Sequence, residues 1–517
     1  MFDYVVVGGG AAGCALAAEL SADPAATVLL LEAGRRAPGR MLRIPQAGAA
    51  VYGSPRYAVG YPTEPSGPEG RTHTWRRGAV LGGTTAVNGM MYNRGEAADW
   101  DAIPGWGWDD ILPIFREIED HELGASDLRG TGGPLPISIR ATGDVVDESW
   151  IEAAGKHGVT RVEDVNAGAG ERIGYTPATI RRGVRQTAYT ALLHPVRHRP
   201  NLTVRTGAPV TRVLFSQDRA SGVVVGTEAV AAHKEVILAA GGLETPKLLE
   251  LSGIGDRGRL TRLGIDVILD RPAVGEQVMD HYILRMTLRL NRSGLGHNES
   301  LRGFGPAGLA ASYLLRRGGF LARPNAEVLG LLRSAPGEPR PDFQVAMLPL
   351  SIDANERPER EPGMMLLLQT QRPSSRGSQH IVSADPAVPP RIVPNYLATA
   401  DDRARLVASL GRVREILAEE PIAGLIRDEV RPGPAIVNDD QIVDHALRSG
   451  VTSMHAAGGC AMGAGPDAVL DPRLRVRGIE GLRVIDASAL PAMISGNPVA
   501  PLLAMATLAA RRIRTNT

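Results

Sequence analysis

The chain has 517 residues, and 57 Lys and Arg stand against 56 Asp and Glu for a formal net charge of +1. That near-balance gives no electrostatic case for a nucleic acid or an acidic membrane as partner. The length points to two or three domains, and 43% hydrophobic with 22% charged residues is ordinary for a globular protein. Cys14 and Cys460 are far apart and lack metal-ligand spacing, so no disulfide framework and no metal site is expected. A reducing cytoplasm fits that cysteine usage. No apolar run reaches the roughly 18 residues of a membrane-spanning helix. A nucleotide motif occupies the first residues and leaves no room for a cleavable leader, so a cytoplasmic protein is expected.

That motif is the most informative stretch. Tyr4–Val7 reads as a buried strand, Gly8-Gly9-Gly10-Ala11-Ala12-Gly13 as a tight turn, and Cys14–Leu20 as a helix. A second strand, Thr27–Leu31, ends on Glu32 and Ala33. Gly8 permits the turn, Gly10 lets a pyrophosphate approach the backbone, and Gly13 lets the helix pack on the sheet. The N–H groups at Ala11 and Ala12 open the helix and favour phosphate. Glu32 lies where a carboxylate accepts hydrogen bonds from ribose hydroxyls. An adenine dinucleotide is expected; the motif does not separate FAD from NAD.

Residues 35–76 read as an irregular excursion rich in Arg, Pro and Gly. It leads to Arg77–Met90, whose paired glycines form a loop able to lie against a flat or phosphate-bearing ligand. Helices are expected at 111–118 and 149–158, and strands at 202–205, 210–215, 223–225 and 235–238. The last strand runs into Ala240-Gly241-Gly242, a second strand-to-glycine turn that re-enters the nucleotide sheet. Residues 281–435 carry alternating strands (342–348, 364–368) and an amphipathic helix (402–419), which suits an antiparallel sheet with a covering helix. Asp401 and Asp402 read as that helix's N-terminus rather than as paired acids. From Val451 the chain turns glycine-rich again, with a strand at 482–488 and a closing helix at 502–513.

Together these segments resemble the glucose-methanol-choline (GMC) flavoprotein oxidoreductases nearly end to end. Arg77–Arg94 and Gly241–Gly255 look like the family's two signatures. Pro272–His281, Arg372–Gly377 and the tail with Asp471–Val476 match further family stretches. The resemblance implies an α/β fold: an FAD-binding Rossmann-like domain with an inserted α+β substrate domain on an antiparallel sheet. The expected boundaries are 1–155, 201–280 and 436–517 for the FAD-binding parts, 156–200 for a connecting or substrate-domain segment, and 281–435 for the substrate domain. The substrate pocket is expected to be drawn from 281–435. By position, Gly8, Gly10 and Gly13 would hold the pyrophosphate and Glu32 the ribose. Leu81, Gly82 and Gly83, with Asn88, Gly89 and Met90, would run along the flavin. Val210 would sit by the adenine, and Ala240 and Gly241 in the second glycine turn. Asp486 and Ala487 would meet the ribityl–phosphate region, and Asn497 and Pro498 the isoalloxazine. Some members attach FAD through a histidine where this chain has Val87, so FAD is expected to be non-covalent.

Hydride transfer from an alcohol carbon requires the hydroxyl proton to leave, and histidine has a suitable intrinsic pKa. The family places a His at the position of His455 and a His or Asn at that of Asn497. His455 is therefore expected as base and Asn497 as the residue that fixes the oxygen. His73 and His281 read as capping or loop hydrogen-bonding residues, and Cys460 as a packed thiol. The expected activity is oxidation of a small or medium alcohol, with O₂ or another acceptor taking the electrons. The alternative is a lyase that keeps flavin as a structural part, as hydroxynitrile lyases of this family do.

Overall fold

A computed structural model describes residues 2–34, 41–353 and 355–515. Two large sheets organise it. Within the strand Phe2–Val7 (β1), Tyr4–Val7 is a continuous apolar run because parallel neighbours and covering helices bury both its faces. It feeds the helix Ala11–Leu20 (α1), and Val28–Glu32 (β2) returns parallel to it, Val5 opposite Leu29. The seven-stranded sheet runs Leu202–Thr206, β2, β1, Glu228–Leu238, Arg219–Val225, Val210–Ser216, with Leu482–Val484 also paired to Glu228–Leu238. The long strand Glu228–Leu238 serves two partners. Its first half continues an antiparallel meander, and its second half lies parallel between β1 and Leu482–Val484. The closing helix Val499–Thr515 packs on α1, so the two chain ends share one core.

The second sheet has eight strands, mostly antiparallel, with Tyr282–Leu290, Gly363–Thr370, Phe343–Leu348 and Val328–Leu332 as its centre. Leu406, Leu410 and Val413 of the helix Ala400–Leu417 cover one face. Thr399 caps that helix, and Asp402 accepts the N–H groups of Ser374 and Ser375. Strands from outside 281–435 join this sheet: Arg172–Tyr175 pairs with Val328–Leu332, and Val451–Thr452 with Tyr282–Leu290.

Three local expectations shift. The helix expected from Ser149 begins at Val145, because the Asp144 carboxylate caps it by accepting the Val146 N–H at 2.9 Å. The stretch expected to be irregular holds a hairpin, Ala58–Pro62 against Thr74–Gly78, fastened by the facing pair Tyr61 and Trp75, both buried. Residues 35–40 of that excursion lie outside the described residues. The strand expected over 482–488 ends at Val484, because Asp486 caps the turn Ala487–Ala489.

Candidate active site

Between the two sheets lies a cavity of about 650 Å³. It reaches from the β1–α1 turn to the glycine-rich tail. Gly8, Gly10, Ala11, Ala12, Glu32, Ala33, Gly83, Asn88, Gly89, Met90, Val210, Ala240, Gly241, Asp486, Ala487, Asn497 and Pro498 line it, with His455. Gly13, Leu81 and Gly82 stand behind the wall. At Gly13 a Cβ would lie 1.8 Å from the Gly8 carbonyl oxygen, so glycine there closes α1 onto β1. Gly82 donates its N–H to the Gly9 carbonyl at 2.8 Å and carries φ +92°. The Arg77–Met90 loop is thereby fixed against the first turn.

The nucleotide end is a cradle with open space in it. A Cβ on Gly10 would meet nothing within 4 Å, unlike one on Gly13. Gly10 opens α1 with no side-chain cap, so the helix's first N–H groups face the cavity. The Glu32 carboxylate accepts the N–H groups of Gly9 and Gly34, both at 2.7 Å. One lone pair on each oxygen remains for a ligand hydroxyl. Burial pushes this carboxyl up, against those two N–H donors. Asp486 is held by four donors, the N–H of Gly241 and Ser488 and the hydroxyls of Thr245 and Ser488. It binds the second glycine turn to the tail and so shapes the wall.

At the far end His455 sits in a web of buried groups. Its backbone N–H donates to Asp280 Oδ1 at 2.7 Å. Asp280 Oδ2 accepts the hydroxyls of Tyr396 and Thr452, both at 2.5 Å. Arg77 donates to the carbonyl of Met454, which takes a left-handed φ of 61° and turns the backbone toward the cavity. His455 Nδ1 lies 2.8 Å from His281 Nδ1, and His281 Nε2 lies 2.7 Å from the Gln371 carbonyl oxygen. On the cavity side His455 Nε2 is 3.3 Å from Asn497 Nδ2 and 3.4 Å from Ser453 Oγ.

These contacts assign the protons. A carbonyl only accepts, so His281 Nε2 carries the hydrogen. Burial lowers the His281 pKa to about 4, and the ring is neutral at neutral pH with a lone pair on Nδ1. His455 Nδ1 must then donate to it. Burial, then His281 and Arg77, hold His455 well below the usual histidine value, so it too is neutral. Its lone pair is on Nε2 and faces the cavity, beside the Asn497 amide N–H.

Both parts of the GMC oxidoreductase family profile match this chain, the N-terminal part over residues 2–283 and the C-terminal part over 373–506. The chain belongs to the GMC oxidoreductase family. Among its relatives, human mitochondrial choline dehydrogenase is 37% identical over 99% of this chain and 90% of its own length. The alcohol dehydrogenase [acceptor] of Pseudomonas putida is 35% identical over 99% and 96%. The crystal structure of pyridoxine 4-oxidase from Mesorbium loti matches with a TM-score of 0.90 at 32% identity, over 100% of this chain and 99% of that one. This GMC oxidoreductase is an FAD-dependent enzyme acting on CH–OH donors. The uncapped N-terminus of α1, the open space at Gly10 and the anchored Glu32 fit a dinucleotide in the cavity.

Some residues of this GMC site were not legible beforehand. Of residues 281–435, only Pro386 and Ala387 line the cavity among the described residues, against the expectation that this segment supplies the pocket. The Arg77–Met91 loop and the tail cover the inner face of the second sheet instead. His281, assigned to loop hydrogen bonding, does bond a loop carbonyl, and with its other nitrogen it orients His455. Gly9, unremarked among three glycines, donates to Glu32, and a Cβ there would come within 3.1 Å of that carboxylate. The stretch ending Asp280-His281 was the available signal for the first of these. His73 packs edge-on against the stacked pair Tyr282 and Tyr396, and Cys460 is buried; neither lines the cavity.

Proposed function

We propose that this GMC oxidoreductase oxidises the CH–OH group of a small or medium alcohol to the aldehyde or ketone, with His455 taking the hydroxyl proton. The supporting observation is the position of His455 Nε2, on the cavity wall and 3.3 Å from the Asn497 amide nitrogen. An alcohol oxygen entering there donates its proton to Nε2 and accepts from Asn497 Nδ2. Two hydrogen bonds fix that oxygen and so aim the C–H bond, an orientation worth several kcal/mol. Bound FAD supplies the hydride acceptor. In this reading Gly10, Ala11 and Ala12 hold its pyrophosphate and Glu32 its ribose, while Asn88–Met90 and Pro498 border the flavin.

Burial keeps His455 unprotonated and available at neutral pH. Its weak basicity matches a hydroxyl that grows more acidic as the hydride departs. His281 keeps the Nδ1 hydrogen in place, so the lone pair stays on Nε2. Tyr52, Tyr61, Val59 and Met91 give the cavity apolar and aromatic wall, suited to an uncharged alcohol. The names of the relatives support a hydroxyl-bearing substrate, since choline, pyridoxine and simple alcohols all carry an oxidisable hydroxyl group.

The test is an anaerobic panel of primary and secondary alcohols added to the purified yellow protein. At least one should bleach the flavin band, and His455→Ala should slow bleaching by about 10²–10⁴-fold. A protein that stays yellow with every alcohol while turning over a cyanohydrin would be a lyase, and the proposal would fail. Wild-type bleaching by His455→Ala would remove the base from it.

A further inference from the structure

The described residue with the most exposed large apolar side chain is Phe304, 96% exposed, followed by Leu315 at 82% and Leu314 at 72%. All three belong to one helix, Gly305–Arg316, and the residue that precedes it. At about 100° per residue, Phe304, Ala311 and Leu315 fall on one face, flanked by Ala307, Gly308 and Leu314. Every one of them is exposed. Tyr313 points the opposite way, is buried, and donates to the Gly183 carbonyl at 3.0 Å. The helix is thus anchored through Tyr313 and turns an apolar face outward, with Met41 (45% exposed) on the neighbouring segment. Exposed apolar residues scattered singly need no explanation; a contiguous stripe on one helix does.

The charge around this stripe is of one sign. From Ser300 to Ala326 the sequence has Arg302, Arg316, Arg317 and Arg323 and no acid. From Met41 to Thr63 it has Arg43 and Arg56 and no acid. The two stretches adjoin: Gln46 donates to the Pro324 carbonyl at 2.7 Å, and the Tyr313 hydroxyl lies 3.4 Å from the Arg43 carbonyl. The Arg182–Gly183 turn completes the face, because a Cβ on Gly183 would stand 2.1 Å from the Arg317 carbonyl oxygen. Among the described residues, Arg43, Arg182, Arg302, Arg316 and Arg317 are exposed and have no ion-pair partner, whereas Arg323 pairs with Glu327. A net charge of +1 conceals this segregation.

We infer that this face docks on an anionic membrane surface, the helix Gly305–Arg316 lying in the interface with Phe304, Leu314 and Leu315 inserted and the arginines on the headgroups. Charge selects this occupant. A second copy of the chain would bring the same unpaired arginines face to face, and an uncharged apolar partner would leave them unanswered. No described helix is long and apolar enough to cross a membrane, so the contact is peripheral. The face adjoins the cavity: Asn325, two residues beyond Arg323, approaches both Gly48 and the cavity residue Gly89.

The experiment is co-sedimentation of the flavin-loaded protein with vesicles of phosphatidylcholine alone or mixed with phosphatidylglycerol. Binding should require the anionic lipid and weaken as salt is raised, as screening demands. Leu314→Ser/Leu315→Ser and Arg316→Glu/Arg317→Glu should each cut partitioning about tenfold or more. Both should keep wild-type flavin content and wild-type activity with a soluble dye acceptor. The inference is overturned if the wild type ignores anionic vesicles, or if both variants bind as it does. It is equally overturned if ultracentrifugation shows a dimer that Leu314→Ser/Leu315→Ser converts to a monomer, which assigns the face to a second copy.

Discussion

The proton arrangement at His455 makes His281 the most exacting test of the site. His281→Leu removes the acceptor 2.8 Å from His455 Nδ1 and leaves a buried N–H with no partner. An orphaned buried donor costs about 1–3 kcal/mol. That cost falls on the tautomer with hydrogen on Nδ1, the one that leaves Nε2 free as a base. The other tautomer, with Nε2 protonated, then gains by the same amount. At about 1.4 kcal/mol per factor of ten, the base-competent population falls roughly 5- to 150-fold, and the rate of flavin reduction with it. His281→Asn should differ, because its amide oxygen can stand near the lost Nδ1 and accept the same hydrogen. Anaerobic stopped-flow bleaching measures both variants directly, at saturating alcohol so that substrate affinity is separated from the rate. The expected order is wild type, then Asn within about tenfold, then Leu at the bottom, with an unchanged flavin spectrum throughout. A His281→Leu enzyme that bleaches at the wild-type rate would refute the tautomer argument. So would equal losses in both variants with intact flavin binding.

Five further outcomes are expected. Because burial holds His455 well below the usual value, flavin reduction should stay flat through neutral pH and fall only on the acid side; an acid limb centred near about 6.5 would contradict the buried, neutral base. Stability should also drop with acid, since the unfolded chain takes a proton at His281 near 6.5 and the folded chain only at about 4. That linkage contributes about 3 kcal/mol at most, present above 6.5 and lost as pH falls to 4, readable as a falling Tm that His281→Asn blunts. Gly10→Val should fold normally but purify without its yellow colour, because its side chain enters the open cradle; Gly13→Ala should lose about 1–3 kcal/mol in urea unfolding, because its Cβ meets the Gly8 carbonyl. A flavin-replete Gly10→Val would show that the cradle does not hold the pyrophosphate. Acid precipitation of the wild type should release all the flavin to the supernatant, since buried Val87 offers no nucleophile; a yellow pellet would mean another attachment point.

The sequence by itself determined the nucleotide unit, because each of its demands is local. A buried parallel strand must be a continuous apolar run, the turn needs glycine at fixed offsets, and the acid follows the second strand directly. The resemblance of its motifs to the GMC family also singled out His455 and Asn497 as candidates, since such motifs are properties of the chain alone. Only the tertiary structure decided which nitrogen of His455 is the base. That choice depends on the Gln371 carbonyl and His281, respectively 84 and 174 residues away in sequence from His455 by the positions the hydrogen bonds join. Tertiary packing also moved the cavity wall from residues 281–435 to the Arg77–Met91 loop and the tail. It gathered arginines from three separate stretches around one exposed helix, a concentration invisible in a net charge of +1. Hydrogen-bond direction and surface charge density depend on distances in space, and a linear sequence holds those distances only where neighbours in the chain are also neighbours in the fold.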